Sequence, residues 1–187
     1  MMSEANIYLR PLTEADTDNI VRWRNLPSVK NNLYSNADIT VETHLNYFRK
    51  IVRSGKCRQF IIVVQTGEEE IDIGTTFLKN IDEENQKAEY GIFIGEESAR
   101  GKGFGTKAAQ ETLKIAFQQL GLNKIYLSVF SKNIPAIKSY LQAGFLVEGN
   151  SVQDFCRDGR FYDVTYMGIT RDRWNNMANV DENTEEN

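Results

Sequence analysis

The sequence predicts a single α/β domain built on a mixed, mostly antiparallel sheet of about seven strands, with helices on both faces. The chain has 187 residues, which is the length of one large domain. Its middle contains strand-like runs separated by short charged turns, as in an antiparallel meander. Its second half alternates strand-like and helix-like segments, a pattern typical of a mixed sheet with helices on its faces.

Hydrophobic periodicity and turn residues set the boundaries of the elements. Apolar runs predict strands at residues 7–9, 60–64, 71–78, 88–94, 124–130, 145–147 and 160–169. Helical spacing predicts helices at residues 13–24, 40–53, 109–120 and 134–143. A polar stretch at residues 25–38 is expected to be a loop. We assign residues 1–174 to the domain and residues 175–187 to an acidic, disordered tail.

Composition and charge exclude several classes of protein. With 41% hydrophobic and 26% charged residues, the chain is unlike collagen, disordered chains or disulfide scaffolds. The formal net charge is −4. It is accounted for by acidic residues of the tail, namely Asp181, Glu182, Glu185 and Glu186. The remaining body is neutral, which argues against nucleic acid or a membrane surface as a partner.

Other features bear on the compartment and on metal chemistry. The chain starts without a basic segment followed by an apolar one, so no secretory signal is visible and we expect a cytoplasmic protein. Cys57 and Cys156 lack metal-ligand spacing and are expected to be free thiols. The single histidine, His44, argues against a zinc site or a serine triad, so no metal is expected.

A glycine-rich loop follows the predicted strand at residues 88–94. Gly101, Gly103 and Gly105 alternate along it, so several backbone N–H groups can converge on an anion such as a phosphate. The spacing fits neither a P-loop, which needs Ser or Thr where Gly103 stands, nor the GxGxxG dinucleotide loop. A flexible turn that allows close packing is the alternative interpretation.

A second motif lies downstream of this loop. The pattern RxxGxG, beginning at Arg100, is followed by NxxAxxxYxxxGF, beginning at Asn133 after the next strand. Together they resemble the GCN5-related N-acetyltransferases (GNAT), over about residues 7–174 and nearest to the branch of ribosomal-protein and spermidine acetyltransferases. The resemblance implies the GNAT fold with strands four and five splayed, acetyl-CoA as cosubstrate, and direct transfer to an amine without an acyl-enzyme.

The resemblance also implies positions for acetyl-CoA. It places the pyrophosphate at the loop formed by Arg100, Gly101, Lys102, Gly103, Phe104, Gly105 and Thr106. It places the thioester beside the backbone of Phe93 and Ile94 at the end of strand four, where the pantetheine pairs like an added strand. Asn133 is implied to contact the cofactor, although its residue type also fits a helix cap.

Amine acetylation requires a base, because an amine with a pKa of about 10.4 is mostly protonated at neutral pH. Glu89 is the only acid within strand four and shares a face with Gly91 and Phe93, so it is the candidate base. A structurally paired carboxylate, with ordered water as base, is the alternative. Tyr140 takes the family position of the proton donor to the thiolate, and its alternative is a core aromatic.

The acceptor is indicated only by the N-terminal third. Residues 23–48 resemble the amino-sugar acetyltransferases of the pseudaminic-acid pathway, in which a matching arginine and histidine face a UDP-linked sugar. Arg24 and His44 are therefore implied to bind substrate, and their alternatives are a solvent-facing helix end and a surface residue. A spermidine-type polyamine and a protein N-terminus remain open. A non-catalytic CoA-binding module is the alternative from another class, which Tyr140 and the complete loop disfavour.

Overall fold

In the computed structural model, which describes residues 5–177, seven strands form one sheet. They are β1 (Asn6–Pro11), β2 (Cys57–Thr66), β3 (Glu69–Asp82), β4 (Lys87–Ile94), β5 (Lys124–Phe130), β6 (Leu146–Arg157) and β7 (Arg160–Thr170). Their order across the sheet is β1-β2-β3-β4-β5-β7-β6. Neighbouring strands are antiparallel except β4 and β5, which are parallel. The predicted mixed, mostly antiparallel sheet is therefore confirmed.

Helices cover both faces of this sheet. They are α1 (Thr17–Asn25), α2 (Pro27–Lys30), α3 (Val41–Tyr47), α4 (Phe104–Lys114), α5 (Ile134–Gln142) and α6 (residues 171–177). A 3-10 turn (Glu14–Asp16) precedes α1, another (Glu97–Ala99) precedes the glycine loop, and π turns extend α3 through Val52 and α4 through Gln119. Within residues 5–177, none of these helices has the length and apolar character needed to cross a bilayer.

The alternation of side chains along the strands separates two cores. On one face Ala88 and Tyr90 of β4 pack with Leu113 of α4 and Tyr140 of α5. On the other face Trp23 of α1 packs with buried residues of β2 and with Phe93 of β4. We call these the α4–α5 face and the α1–α3 face, because Phe48, which directly follows α3, also joins the second core.

Three regions differ from the prediction. The expected loop at residues 25–38 contains α2, in which Pro27 takes the first helical position, where a missing N–H costs nothing. The expected short strand at 145–147 is the start of β6, which runs on to Arg157 beside β7. The first three residues of the predicted tail are helical in α6, and residues 178–187 lie outside the described part of the chain.

The sheet is open between its two parallel strands. β4 and β5 pair only at Lys87 with Lys124, Ala88 with Ile125, and Glu89 with Tyr126. Beyond these pairs, residues 90–94 and 127–130 run on without pairing to each other, while β4 stays paired with β3 as far as Ile94. We call this gap the β4–β5 opening, and it confirms the predicted splay.

Candidate active site

The register of β3 and β4 determines which backbone groups face the opening. The N–H of Gly95 donates to the carbonyl of Ile73 at 2.8 Å. Because hydrogen-bonded and non-hydrogen-bonded pairs alternate between antiparallel strands, Phe93 directs its backbone groups at β3, whereas Ile92 and Ile94 direct theirs at the opening. Of the two predicted backbone contacts, Ile94 therefore lies at the opening and Phe93 faces away from it.

The glycine loop lies at the mouth of the opening. Gly101 and Gly103 have φ angles of +72° and +81°, and no heavy atom lies within 4 Å of where a Cβ would stand at either residue. Glycine is thus needed here for backbone conformation and not for space. Because α4 begins at Phe104, its first N–H groups have no partner inside the helix and are available to an anion.

Polar side chains of the loop fix its position. The guanidinium of Arg100 donates to the carbonyl of Ile94 from Nε at 3.1 Å and from Nη2 at 2.8 Å, so it is bound to the end of β4. The hydroxyl of Thr106 lies 3.0 Å from that of Ser139, which joins the start of α4 to α5. Lys102 is exposed. The loop is therefore attached to the end of β4 through Arg100, and the helix that follows it is attached to α5 through Thr106.

Tyr140 is buried on the α4–α5 face. Its ring packs edge-to-face on Tyr90 at 6.1 Å and on Phe145 at 6.0 Å. Burial, and secondarily the nearby phenol of Tyr34, raise the pKa of Tyr140 well above its ordinary value of about 10. The phenol is therefore protonated at neutral pH. Asn133 caps α5 by accepting a hydrogen bond from the N–H of Ala136 at 3.4 Å.

Glu89 stands on the last residue pair before the opening, with its side chain on the face opposite Tyr90. Its carboxylate lies 3.0 Å from Nζ of Lys79 and accepts a hydrogen bond from Nδ2 of Asn80 at 2.9 Å. These contacts fit the alternative interpretation of Glu89 as a structurally paired carboxylate. The same contacts hold the carboxylate at the closed end of the opening.

Comparison with known proteins identifies this arrangement. Residues 6–146 match the acetyltransferase (GNAT) domain. The chain belongs to the GNAT acetyltransferase family. It is 33% identical over 131 residues to a spermidine N(1)-acetyltransferase of Vibrio cholerae, covering 70% of this chain and 73% of that protein. It is 28% identical over 144 residues to the acetyltransferase PseH of Campylobacter jejuni, covering 75% and 85%.

A solved GNAT structure agrees with the fold. The spermidine N-acetyltransferase of Vibrio cholerae, crystallised with CoA and spermine, superposes with a TM-score of 0.82 at 27% identity, covering 90% of this chain and 97% of that one. The predicted GNAT resemblance and fold are therefore confirmed. This GNAT chain is an acetyl-CoA-dependent N-acetyltransferase.

Arg24 and His44 do not meet in this GNAT domain. Nδ1 of His44 lies 3.1 Å from the hydroxyl of Thr17 at the start of α1, whereas Arg24 lies at the end of that helix, about 10 Å further along its axis. Arg24 is half-buried, donates to the carbonyl of Ser35 at 2.7 Å and keeps a buried Nη1 without a partner. The alternative that placed His44 on the surface is wrong, because α1 and α3 bury it.

The buried His44 makes folding stability depend on pH. Burial lowers its pKa below the ordinary value of about 6.5, and the charge of Asp16 offsets part of this effect. The unfolded chain therefore binds this proton at a higher pH than the folded protein does. The stabilisation is complete above about pH 6.5 and is lost as the pH falls through the folded-state pKa.

We expect the free energy of unfolding of the wild type to fall between about pH 7 and pH 5, and the His44→Gln variant to lack this component. Urea unfolding at several pH values measures both proteins. His44 is the only histidine in the chain, so no other imidazole contributes to the difference. Equal slopes in the two proteins would contradict the burial of a neutral imidazole.

Sequence reasoning missed one residue at the opening. Tyr34 lies between α2 and α3 in a polar stretch that carries no motif. Its ring centroid is 5.0 Å from that of Phe130 on β5 and 5.1 Å from that of Phe155 on β6. No local pattern in the sequence could have found Tyr34, because these contacts join distant parts of the chain.

Proposed function

We propose that this enzyme transfers the acetyl group of acetyl-CoA directly to a primary amine of a cationic polyamine. The observation that carries this proposal is the β4–β5 opening, which has Tyr140 on one face and the carboxylate of Glu89 on the other. Similarity to spermidine acetyltransferases supports the same class of acceptor.

The residues around the opening fit acetyl-CoA. The glycine loop and the first N–H groups of α4 offer donors to the pyrophosphate, and Asn133 stands at the start of α5. The backbone groups of Ile92 and the N–H of Ile94 face the opening and can pair with the amides of the pantetheine, whereas the carbonyl of Ile94 is held by Arg100. Bound acetyl-CoA supplies a thioester carbonyl as acetyl donor and a thiolate as leaving group.

Tyr140 and Glu89 take separate parts in the reaction. Because burial keeps the phenol of Tyr140 protonated, Tyr140 donates a hydrogen bond to the departing sulfur. Complete proton transfer to the leaving thiolate, whose conjugate thiol has a pKa of about 8.5, would be uphill from so weak an acid. Glu89 takes the proton that the amine must lose, directly or through one water.

Carboxylates on the acceptor side favour a cationic substrate. Asp154 on β6 accepts hydrogen bonds from Ser151 at 2.7 Å and from Tyr166 at 2.8 Å, and these bonds lower its pKa. Glu89 lies on the face of β4 opposite Tyr90. Asp154 is bound by Tyr166, which pairs with Ser128 on that same face of the sheet, so the two charges lie on one side of it. Two negative charges attract a polyamine and oppose a UDP group.

A UDP-linked amino sugar is the second candidate. Similarity to PseH supports it. The buried Nη1 of Arg24, which has no hydrogen-bond partner, also supports it, because it can donate a hydrogen bond to a phosphate oxygen. The distance between Arg24 and His44 opposes the shared nucleotide site that the sequence led us to expect.

Thiol release from acetyl-CoA tests these candidates side by side. We expect turnover with spermidine and spermine, and little with aminated UDP-sugars or N-terminal peptides. Turnover restricted to the sugars would overturn the polyamine proposal. CoA binding without thiol release on any amine would instead indicate a non-catalytic module.

Replacing Glu89 tests the base. We expect Glu89→Gln to lower kcat/KM for the amine by about tenfold to a hundredfold at neutral pH, and by less at high pH, where more of the amine is already deprotonated. Glu148→Gln is the matched control, because Glu148 is also a strand carboxylate paired with a lysine, 2.7 Å from Lys124. An unchanged rate and pH profile in Glu89→Gln would leave ordered water as the base.

A further inference from the structure

The segment between α2 and α3, residues 31–38, crosses the α1–α3 face, and we call it the strap. It is hydrogen-bonded to β6, the edge strand that pairs with β7. Nη2 of Arg157 on β6 donates to the carbonyls of Leu33 and, at 3.3 Å, of Tyr34. Arg24 at the end of α1 holds the carbonyl of Ser35 at 2.7 Å. Two arginines from different parts of the fold therefore fix the main chain on both sides of Tyr34.

Aromatic packing fixes the Tyr34 ring as well. Phe130 and Phe155 contact it, and their own centroids are 5.4 Å apart. The guanidinium carbon of Arg157 lies 5.4 Å from the Phe130 ring and 5.5 Å from the Phe155 ring. Arg157 thus binds the strap through its N–H groups and the aromatic cluster through its planar face. The ring of Tyr34 has little rotational freedom left to lose when a ligand binds.

Strand alternation locates the Tyr34 side chain relative to Tyr140. Ile125, Leu127 and Val129 of β5 belong to the same core as Tyr140. Phe130 is of the opposite parity and directs its ring to the other face, where Tyr34 packs on it. Tyr34 and Tyr140 therefore lie on opposite faces of the sheet.

The two phenols nevertheless influence each other. Burial raises the pKa of Tyr34, the neighbouring side chain of Ser128 lowers it, and the charges of Asp154 and Glu89 raise it. Tyr34 in turn raises the pKa of Tyr140. Groups on opposite faces of a closed sheet would be separated by its backbone. Here the ring of Tyr34 packs on Phe130, in the stretch of β5 that no longer pairs with β4, so its phenol stands beside the β4–β5 opening.

We propose that Tyr34 positions the acceptor amine at the α1–α3 side of the opening, and that Arg157 acts through Tyr34 as a second positioning residue. This inference rests on the proposed direct transfer to an amine. A phenol oxygen can donate to one group and accept from another, so Tyr34 can accept a hydrogen bond from the amine and still donate its own proton to a neighbouring acceptor. The amine is then directed through the opening toward the side of Tyr140, where the acetyl donor is held.

The test separates binding of the amine from binding of the cofactor. Tyr34→Phe removes the hydroxyl and keeps the ring, and we expect it to raise KM for the amine about fivefold, with KM for acetyl-CoA unchanged. Tyr34→Ala also removes the stacking and should raise KM for the amine further. Arg157→Lys keeps the charge but loses the planar fork, and is expected to behave like Tyr34→Phe. Tyr8→Phe on β1 is the matched control and should leave both constants unchanged.

The results distinguish a role of Tyr34 in positioning the amine from a purely structural role in packing. Equal increases in both KM values, or a fall in stability with unchanged KM for the amine, would reduce Tyr34 to a packing residue and overturn the inference. If Tyr34→Ala does not fold, Tyr34→Phe still decides, because it preserves the aromatic contacts. Failure of the proposed function gives a different result, since wild-type protein would then release no thiol with spermidine or spermine.

Discussion

Replacing Tyr140 by phenylalanine is expected to lower kcat by about a hundredfold while leaving the affinity for acetyl-CoA nearly unchanged. Phenylalanine keeps the ring contacts with Tyr90 and Phe145, so the core and the α5 helix retain their packing. It removes the hydrogen bond that we assign to the departing sulfur, which carries charge only as the thioester breaks. The loss therefore falls on the transition state and not on the ground state.

Steady-state kinetics with a polyamine acceptor, together with calorimetry for CoA binding, measure the two quantities separately. Tyr47→Phe on α3 makes the same change on a helix of the other face and serves as the control. A normal kcat in folded Tyr140→Phe would remove Tyr140 from the chemistry and assign it to the core. A parallel loss of CoA affinity would show that its hydroxyl contributes to ground-state binding.

The fold was largely predictable because most of its elements have a clear periodicity. β5 and α5 were located to within one residue, since each is half-buried and bounded by polar or glycine residues. β6 was underestimated because it is the edge strand, so much of its length is exposed and its residues lack an apolar pattern. α2 was missed because four residues are too few to show a helical repeat.

The candidate site was predictable only where it is local in the sequence. The glycine loop and the α5 motif are continuous segments, and both were located correctly relative to strands and helices. Tyr34 and Arg157 are 123 positions apart, and no spacing rule connects them. The burial of His44 likewise depends on how α1 packs against α3, which periodicity does not specify. Contacts across the fold therefore carry the information that sequence patterns lack.

Replacing Gly103 by valine is expected to raise the dissociation constant of acetyl-CoA by about tenfold to a hundredfold. Gly103 has a φ of +81° immediately before α4, a conformation that a β-branched residue resists. The loop must then rearrange, and its N–H groups no longer converge on the pyrophosphate. Loss of one charge-assisted hydrogen bond costs about 1.5–3 kcal/mol, which accounts for the expected range.

Backbone strain alone also destabilises the fold, so the matched control must carry the same strain elsewhere. Gly55 has a φ of +82° with no heavy atom within 4 Å of its missing Cβ, and it lies in the turn before β2. Gly55→Val and Gly103→Val should each lower the free energy of unfolding by about 1–3 kcal/mol. Only Gly103→Val should weaken CoA binding, because Gly103 belongs to the glycine loop at the mouth of the opening and Gly55 does not. Equal affinities in the two variants, measured by calorimetry, would exclude the loop as the pyrophosphate site.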